Sequence, residues 1–330
     1  MTILLCHQDI SRKQQGIGLL RPKPNLPVHP LMHCSKTKQA MIIDHISEVS
    51  DTTSSTDQTH SIVFLDSGIG GLPYLAYAKE RMPEIKFHYL ADNAGFPYGN
   101  KPPSQVKDIL HDRVRRLRAR FLPDALVIAC NTASQIGLHS LRAAQPGFTI
   151  VGTVPAVKPA ALQTKTGVIG VLATERTVDD PYLDDLIARY ASDVEVVKLP
   201  AQELVDFVEN RLFVADSEER VEAVIPYVRI FLERGVDEIV LACTHFLHLE
   251  TEIGIAIQRL NGENIHIVDS RVGVVNRVHE LMQGLGFLGT KDCPKPNAET
   301  GEFLLTGDPP FDPRYSLWAQ RFGQNPPQRL

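Results

Sequence analysis

From Ser61 onward the chain alternates short apolar runs with stretches of helical spacing. SIVFLD (61–66) is an apolar run ending on an acid and a glycine-rich turn, SGIGG (67–71). LPYLAYAKERMP (72–83) follows, with apolar positions recurring at helical spacing until Pro83. The first pattern predicts a strand buried on both faces, the second an amphipathic helix. KFHYLAD (86–92) predicts a second strand, and SQVKDILHDRVRRLRARF (104–121) a helix with a basic outer face. PDALVIACNTAS (123–134) reads as a third strand running into a helix start, and FTIVGTVPAV (148–157) as a fourth strand. The cycle then restarts with KTGVIGVLATERTV (165–178), VEVVKLP (194–200), AQELVDFVENRLF (201–213), EERVEAVIPYVRIFLERG (218–235), VDEIVLACTHFLHLE (236–250) and IHIVDS (265–270). Strands alternating with helices indicate parallel sheets of the α/β class.

The restart is a weak internal repeat. PDALVIACNT aligns with VDEIVLACTH, so that Asp124 and Asp237 each stand six residues before a cysteine, Cys130 or Cys243. Each half opens on a strand-turn signal, at Asp66-Ser67 and at Ala173-Thr174, and closes near Thr153 or Asp269. The expected architecture is two pseudo-symmetric, doubly wound parallel-sheet lobes. Each presents one cysteine at the carboxyl edge of a strand, where open α/β sheets bind ligands, so the site should lie between the lobes. The expected partition is residues 61–155 plus 265–330 in the first lobe and 156–264 in the second. Residues 1–60 differ: RPKPNLPVHP (21–30) and SDTTSSTDQT (50–59) flank only short apolar pieces. They are expected to form a disordered extension, and Met32 and Met41 offer alternative starts. The opening MTILLCHQDI is too short an apolar stretch for a secretory signal.

Charge and cysteine usage narrow the class. Lys+Arg 34 against Asp+Glu 39 leaves a formal charge of −5 and no basic excess for a nucleic-acid backbone. No apolar run reaches the roughly 18 residues of a membrane span. Five dispersed cysteines without a CxxC pair point to free thiols in a reducing compartment, the cytoplasm. Cys6, Cys34 and Cys293 have no motif around them.

Cys130 and Cys243 each follow an apolar strand and precede a helix start, Asn131-Thr132 or Thr244-His245. Helix dipole and backbone N–H groups there are expected to lower a thiol toward neutral pH. Either cysteine alone reads as an inert core residue; the matched pair does not. A Cys-His hydrolase or half a metal site at Cys243 and His245 leaves Cys130 without a role, and no further His or Cys stands at metal-ligand spacing. Two equivalent thiols suit a nearly symmetric reaction, in which one takes a proton from a carbon centre and the other returns one to the opposite face. The turn DSGIGG lacks both the Gly-Lys-Ser/Thr of a phosphate loop and the spacing of a dinucleotide fingerprint. It suits a small zwitterion better. FPYGNK (96–101) has the local chemistry of a plain loop.

FLDSGIGGL (64–72), ADNAGFPYGNK (91–101), ACNTAS (129–134), GVLATERTV (170–178) and ACTHF (242–246) together resemble glutamate racemase in order and spacing. The resemblance covers about residues 61–285 and extends to FLLTGDPPFDPRYSLWAQRFG (303–323). It departs from the family at Ala242, where a glycine is usual, and at Leu247, where a proline is usual. It implies cofactor-free interconversion of L- and D-glutamate for peptidoglycan precursors, in a homodimer, with no metal. It implies Cys130 as the base for D-glutamate and Cys243 for L-glutamate, with Asp66 and His245 assisting. Substrate contacts carry over onto Asp66, Ser67, Tyr98, Gly99, Asn131, Thr132, Thr244 and His245. Glu209 has two readings: support for the histidine side, or a plain helix-surface residue. Three alternatives stand beside this reading: another member of the aspartate/glutamate racemase group (aspartate or hydantoin racemase, or a related isomerase or decarboxylase), a non-enzymatic amino-acid-binding or regulatory protein on the same fold, and the Cys-His hydrolase.

Overall fold

The computed structural model describes residues 60–289 and 297–330. The expected N-terminal extension, apart from His60, lies outside the described residues, as do Cys6, Cys34 and Cys293.

The strands are β1 (Ser61–Asp66), β2 (Lys86–Ala91), β3 (Ala125–Ile128), β4 (Thr149–Gly152), β5 (Val168–Ala173), β6 (Glu195–Pro200), β7 (Glu238–Leu241), β8 (His266–Val268), β9 (Phe303–Leu305) and β10 (Gln328–Arg329). Between them lie α1 (Leu72–Arg81), α2 (Pro103–Phe121), α3 (Asn131–Ala144), α4 (Val157–Gln163), α5 (Glu175–Val178), α6 (Pro181–Tyr190), α7 (Gln202–Asn210), α8 (Ser217–Glu233), α9 (Glu250–Arg259), α10 (Arg271–Gly284) and α11 (Arg314–Arg321). One sheet runs β10-β9-β2-β1-β3-β4 and the other β6-β5-β7-β8, with every pairing parallel. The α/β expectation of two parallel-sheet lobes holds.

Alternation along β1 shows why its run is apolar throughout. Ile62 and Phe64 pack into one core layer, while Val63 and Leu65 pack into the layer under α2 and α3. A strand covered on both faces needs apolar side chains at every position. α2 follows the expected amphipathic pattern, burying Val106, Leu110, Val114 and Leu117. The layer containing Ile62 and Phe64 also holds Val205, Leu212, Ile239 and Leu241 of the second half, so one apolar layer joins both lobes.

One boundary differs from expectation. The second lobe was expected to end at residue 264, but β8 pairs in register with β7, Glu238 opposite His266, so the second sheet runs to Val268. Only three residues carry that pairing, too few for sequence pattern to assign them to a sheet. The tail residues expected in the first lobe add β9 and β10 to the first sheet, β9 pairing with β2.

At the start of α8, Asp216 accepts from Glu219 N at 2.9 Å, and the Glu219 side chain accepts from Asp216 N at 3.1 Å. This reciprocal cap satisfies two N–H groups that the helix cannot. Asp216→Ala should lower unfolding free energy by about 1 kcal/mol with an unchanged urea m-value.

Candidate active site

The carboxyl ends of β1, β3 and β7 converge at the junction of the lobes. Cys130 follows β3 and N-caps α3, its Sγ accepting from Ala133 N at 3.5 Å. Cys243 follows β7, but it opens a 3₁₀ segment, Thr244–Leu249, and α9 begins only at Glu250. The segment is pinned to the first lobe: Thr244 Oγ1 donates to Asp66 Oδ2 at 3.0 Å, and His248 Nε2 donates to the Ile69 carbonyl at 3.0 Å.

The turn after β1 is the other half of the junction. A Cβ at Gly68 would lie 2.1 Å from Glu209 Oε1, and one at Gly70 2.4 Å from Thr244 Oγ1 and 2.8 Å from His245 N. A side chain at position 70 would run into the His245 backbone, and one at position 68 would displace the Glu209 carboxylate. On the opposite side, Tyr89 donates to the Gly68 carbonyl at 2.9 Å and accepts from Gly71 N at 3.1 Å.

Each thiol has a carboxylate behind it, reached through a different intermediary. Ser67 Oγ donates to Asp66 Oδ1 at 3.2 Å and lies 3.9 Å from Cys130 Sγ. His245 Nδ1 lies 3.8 Å from Cys243 Sγ, and its Nε2 is 2.8 Å from Glu209 Oε1. Glu209 is buried, accepts from Ile69 N at 3.1 Å and backs His245, so the helix-surface reading is wrong.

Burial dominates the ionisation here. It pushes the Cys130 thiol well above its ordinary value, and the Asp66 carboxylate adds to the rise. The expected depression by the helix N-terminus fails at Cys130, because a single N–H bond from Ala133 is outweighed by desolvation. Asp66 is raised as well, by burial, against the opposing effects of His245, Thr244 and Ser67. For His245, burial alone would disfavour the charged ring. Bonding and charge from Cys243 and Glu209 overcome it and hold the imidazolium well above its ordinary range.

Cys130, Asn131, Thr132, Cys243, Thr244, His245, Ser67, Tyr98 and Gly99 line one cavity between the strand ends. Asp66 and Glu209 stand behind that lining, bonded to Thr244 and His245. Both polar atoms of the buried Asn131 amide lack a hydrogen bond among the described residues. A buried polar group without a partner at a cavity wall is suited to receive a ligand. Tyr98 differs from the simplest reading of its motif: its hydroxyl donates to Asp92 at 2.7 Å, within the first lobe. Asp92 is in turn held by Arg113 Nε at 3.0 Å and Thr306 Oγ1 at 2.5 Å.

Phe96, Thr174, Gln202 and Val205 also line the cavity and were not singled out from sequence. Thr174 had a signal, because in the internal repeat it stands where Ser67 does. Gln202 and Val205 lie on α7, outside any motif.

Comparison with known proteins decides the family. The Asp/Glu/Hydantoin racemase family model matches residues 76–272. The chain belongs to that family. The glutamate racemase of Sphingopyxis alaskensis is 41% identical over 232 residues, 68% of this chain and 82% of the relative. That of Treponema pallidum is 36% identical over 264 residues, 79% of this chain and 92% of the relative. Among solved structures, Escherichia coli glutamate racemase in complex with L-glutamate and the activator UDP-MurNAc-Ala superposes with a TM-score of 0.70 at 29% identity, covering 82% of this chain and 98% of that one. The two-lobed α/β fold and membership among amino-acid racemases, which are isomerases, are thereby shared. Among the described residues no helix is long and apolar enough to cross a membrane.

The His245–Glu209 pair has a pH signature. Folding favours the charged ring, so its stabilising contribution is complete below about pH 6.5 and is lost as pH climbs through the raised folded value. Glu209→Gln should move the His245 titration to lower pH in ¹⁵N-histidine NMR and shift that loss of thermal stability in the same direction.

Proposed function

We propose that the chain interconverts L- and D-glutamate without a cofactor, Cys130 and Cys243 acting as two bases on opposite faces of the α-carbon. The observation that carries this reading is the pair of thiols at equivalent strand ends, lining one cavity, each backed by its own buried carboxylate through Ser67 or His245. The relatives' shared name, glutamate racemase, supports the choice of substrate.

For L-glutamate, Cys243 takes the α-proton as a thiolate. The bonding pair stays on the α-carbon, delocalised into the adjacent carboxylate, and Cys130 delivers its thiol proton to the other face. For D-glutamate the roles exchange. A thiol held protonated by burial and by Asp66 suits the donor role of Cys130 in the first direction. Acting as a base there calls for a nearby positive charge, and the substrate ammonium beside Asp66 supplies one. His245, held charged by Cys243 and Glu209, places a positive charge beside the Cys243 sulfur. Substrate carboxylates fall to hydroxyl, amide and backbone donors at Ser67, Asn131, Thr132, Thr244 and the Tyr98-Gly99 turn. An uncharged clamp leaves the thiolates free of ion pairs with lysine or arginine. Enclosure between lobes strengthens every bond to the developing negative charge. The D-glutamate would feed peptidoglycan precursors in the cytoplasm, and the working form would be a homodimer.

Incubation with L-glutamate, and separately L-aspartate, in D₂O without added cofactor tests the reading. Deuterium should enter the α-position of glutamate alone, with the D-isomer rising toward parity by chiral chromatography. Exchange with aspartate instead would move the substrate, and exchange with neither would overturn the reading. Cys130→Ala and Cys243→Ala should each cost at least about a hundredfold in racemisation. The corresponding serine variants should unfold as cooperatively as the wild type. Retention of most turnover by either alanine variant would remove the two-thiol mechanism.

A further inference from the structure

His248 is a buried histidine that the proposed chemistry does not use. It sits on the 3₁₀ segment three residues beyond His245, against the rings of Trp318 and Phe322, with centroids 4.5 and 5.6 Å away. Burial pushes its charged form down to about 3, so the ring is neutral at ordinary pH. The Ile69 carbonyl can only accept, so the proton of the neutral ring resides on Nε2, 3.0 Å from that oxygen.

Ile69 is thus held at both of its backbone groups by the second lobe. Its carbonyl receives the His248 proton, and its N–H donates to Glu209 Oε1 at 3.1 Å. That same carboxylate oxygen bonds His245 Nε2 at 2.8 Å. We propose that His248 is a positioning residue: by fixing the Ile69 carbonyl it aims the Ile69 N–H at Glu209, and so holds Glu209 on His245 behind Cys243. Trp318 and Phe322, on and just after α11, fix the orientation of the imidazole and link the C-terminal segment to the Cys243 side of the site. Tyr89 holds the neighbouring Gly68 and Gly71 from within the first lobe, and Leu72 N donates to the Ile69 carbonyl at 3.2 Å, so His248 supplies that carbonyl's bond from the second lobe.

The consequence for catalysis rests on the two-thiol reading, whereas the positioning itself can be observed without activity. The test compares His248→Leu, which keeps an apolar side chain but loses the donor, with His248→Gln, whose Nε can reach the same oxygen. In the full chain labelled with ¹⁵N-histidine, the downfield Nε2–H resonance of His245 should broaden or vanish in His248→Leu and persist in His248→Gln.

Kinetically, His248→Leu should lose about fivefold to tenfold in kcat/KM, the scale of one hydrogen bond. The loss must be equal in both directions because the two enantiomers are equal in energy. The isotope effect distinguishes the faces. With [2-²H]-L-glutamate, where Cys243 abstracts, it should rise. With [2-²H]-D-glutamate it should fall, and His248→Gln should match wild type in both. A His248→Leu protein with unchanged His245 resonance and isotope effects would overturn the proposal. So would His248→Gln impaired as deeply as His248→Leu, because then ring packing and not the donor matters. Wild-type protein inactive on glutamate would overturn the two-thiol reading, while the resonance comparison would still decide the positioning role.

Discussion

The structure turns on the approach of two backbone turns from different lobes. Gly68 and Gly70 leave room that Glu209, Thr244 and His245 occupy. Three hydrogen bonds, Thr244 to Asp66, Ile69 N to Glu209 and His248 to the Ile69 carbonyl, then close the contact. Without those glycines, a side chain on the first turn would hold the second away and separate each carboxylate from its partner. The shared apolar layer brings the lobes together, but it is non-directional. The glycine-lined contact and its polar bonds give the junction its register.

That contact makes two similar halves chemically unequal. On one side a hydroxyl, Ser67, stands between Asp66 and Cys130; on the other an imidazole, His245, stands between Glu209 and Cys243. A hydroxyl relays a hydrogen bond without carrying charge, so Cys130 is governed by burial and by the nearby carboxylate, both favouring the protonated thiol. An imidazole can carry charge, and Cys243 and Glu209 together keep it charged despite complete enclosure. A near-symmetric fold thus supports two different electrostatic environments around one cavity.

Desolvation drives most of these shifts. Asp66, Cys130 and His245 all lie in an enclosed interior, where an unpaired charge costs more than in water and a paired one is strongly held. Local features such as a helix N-terminus act within that setting and do not override it. The six-residue 3₁₀ segment after Cys243 also presents a smaller aligned dipole than a long α-helix would.

The sequence by itself determined the strand-helix alternation, both parallel sheets and the pairing of Cys130 with Cys243. Apolar runs and helical spacing are local consequences of burial, and a repeated motif is visible without coordinates. Membership of DSGIGG, CNT and CTH in one site was also legible, because each stands at the carboxyl end of a strand. Only the tertiary structure decided that β8 joins the second sheet, that Glu209 is buried on His245, that the Tyr98 hydroxyl serves Asp92, and that burial raises the Cys130 thiol. Each of these depends on a neighbour distant in the chain or on the exclusion of water, and neither leaves a periodic mark on the sequence. Glu209 shows the difference most directly: on its own helix it is one acid among several, and its role comes from a turn 140 residues away.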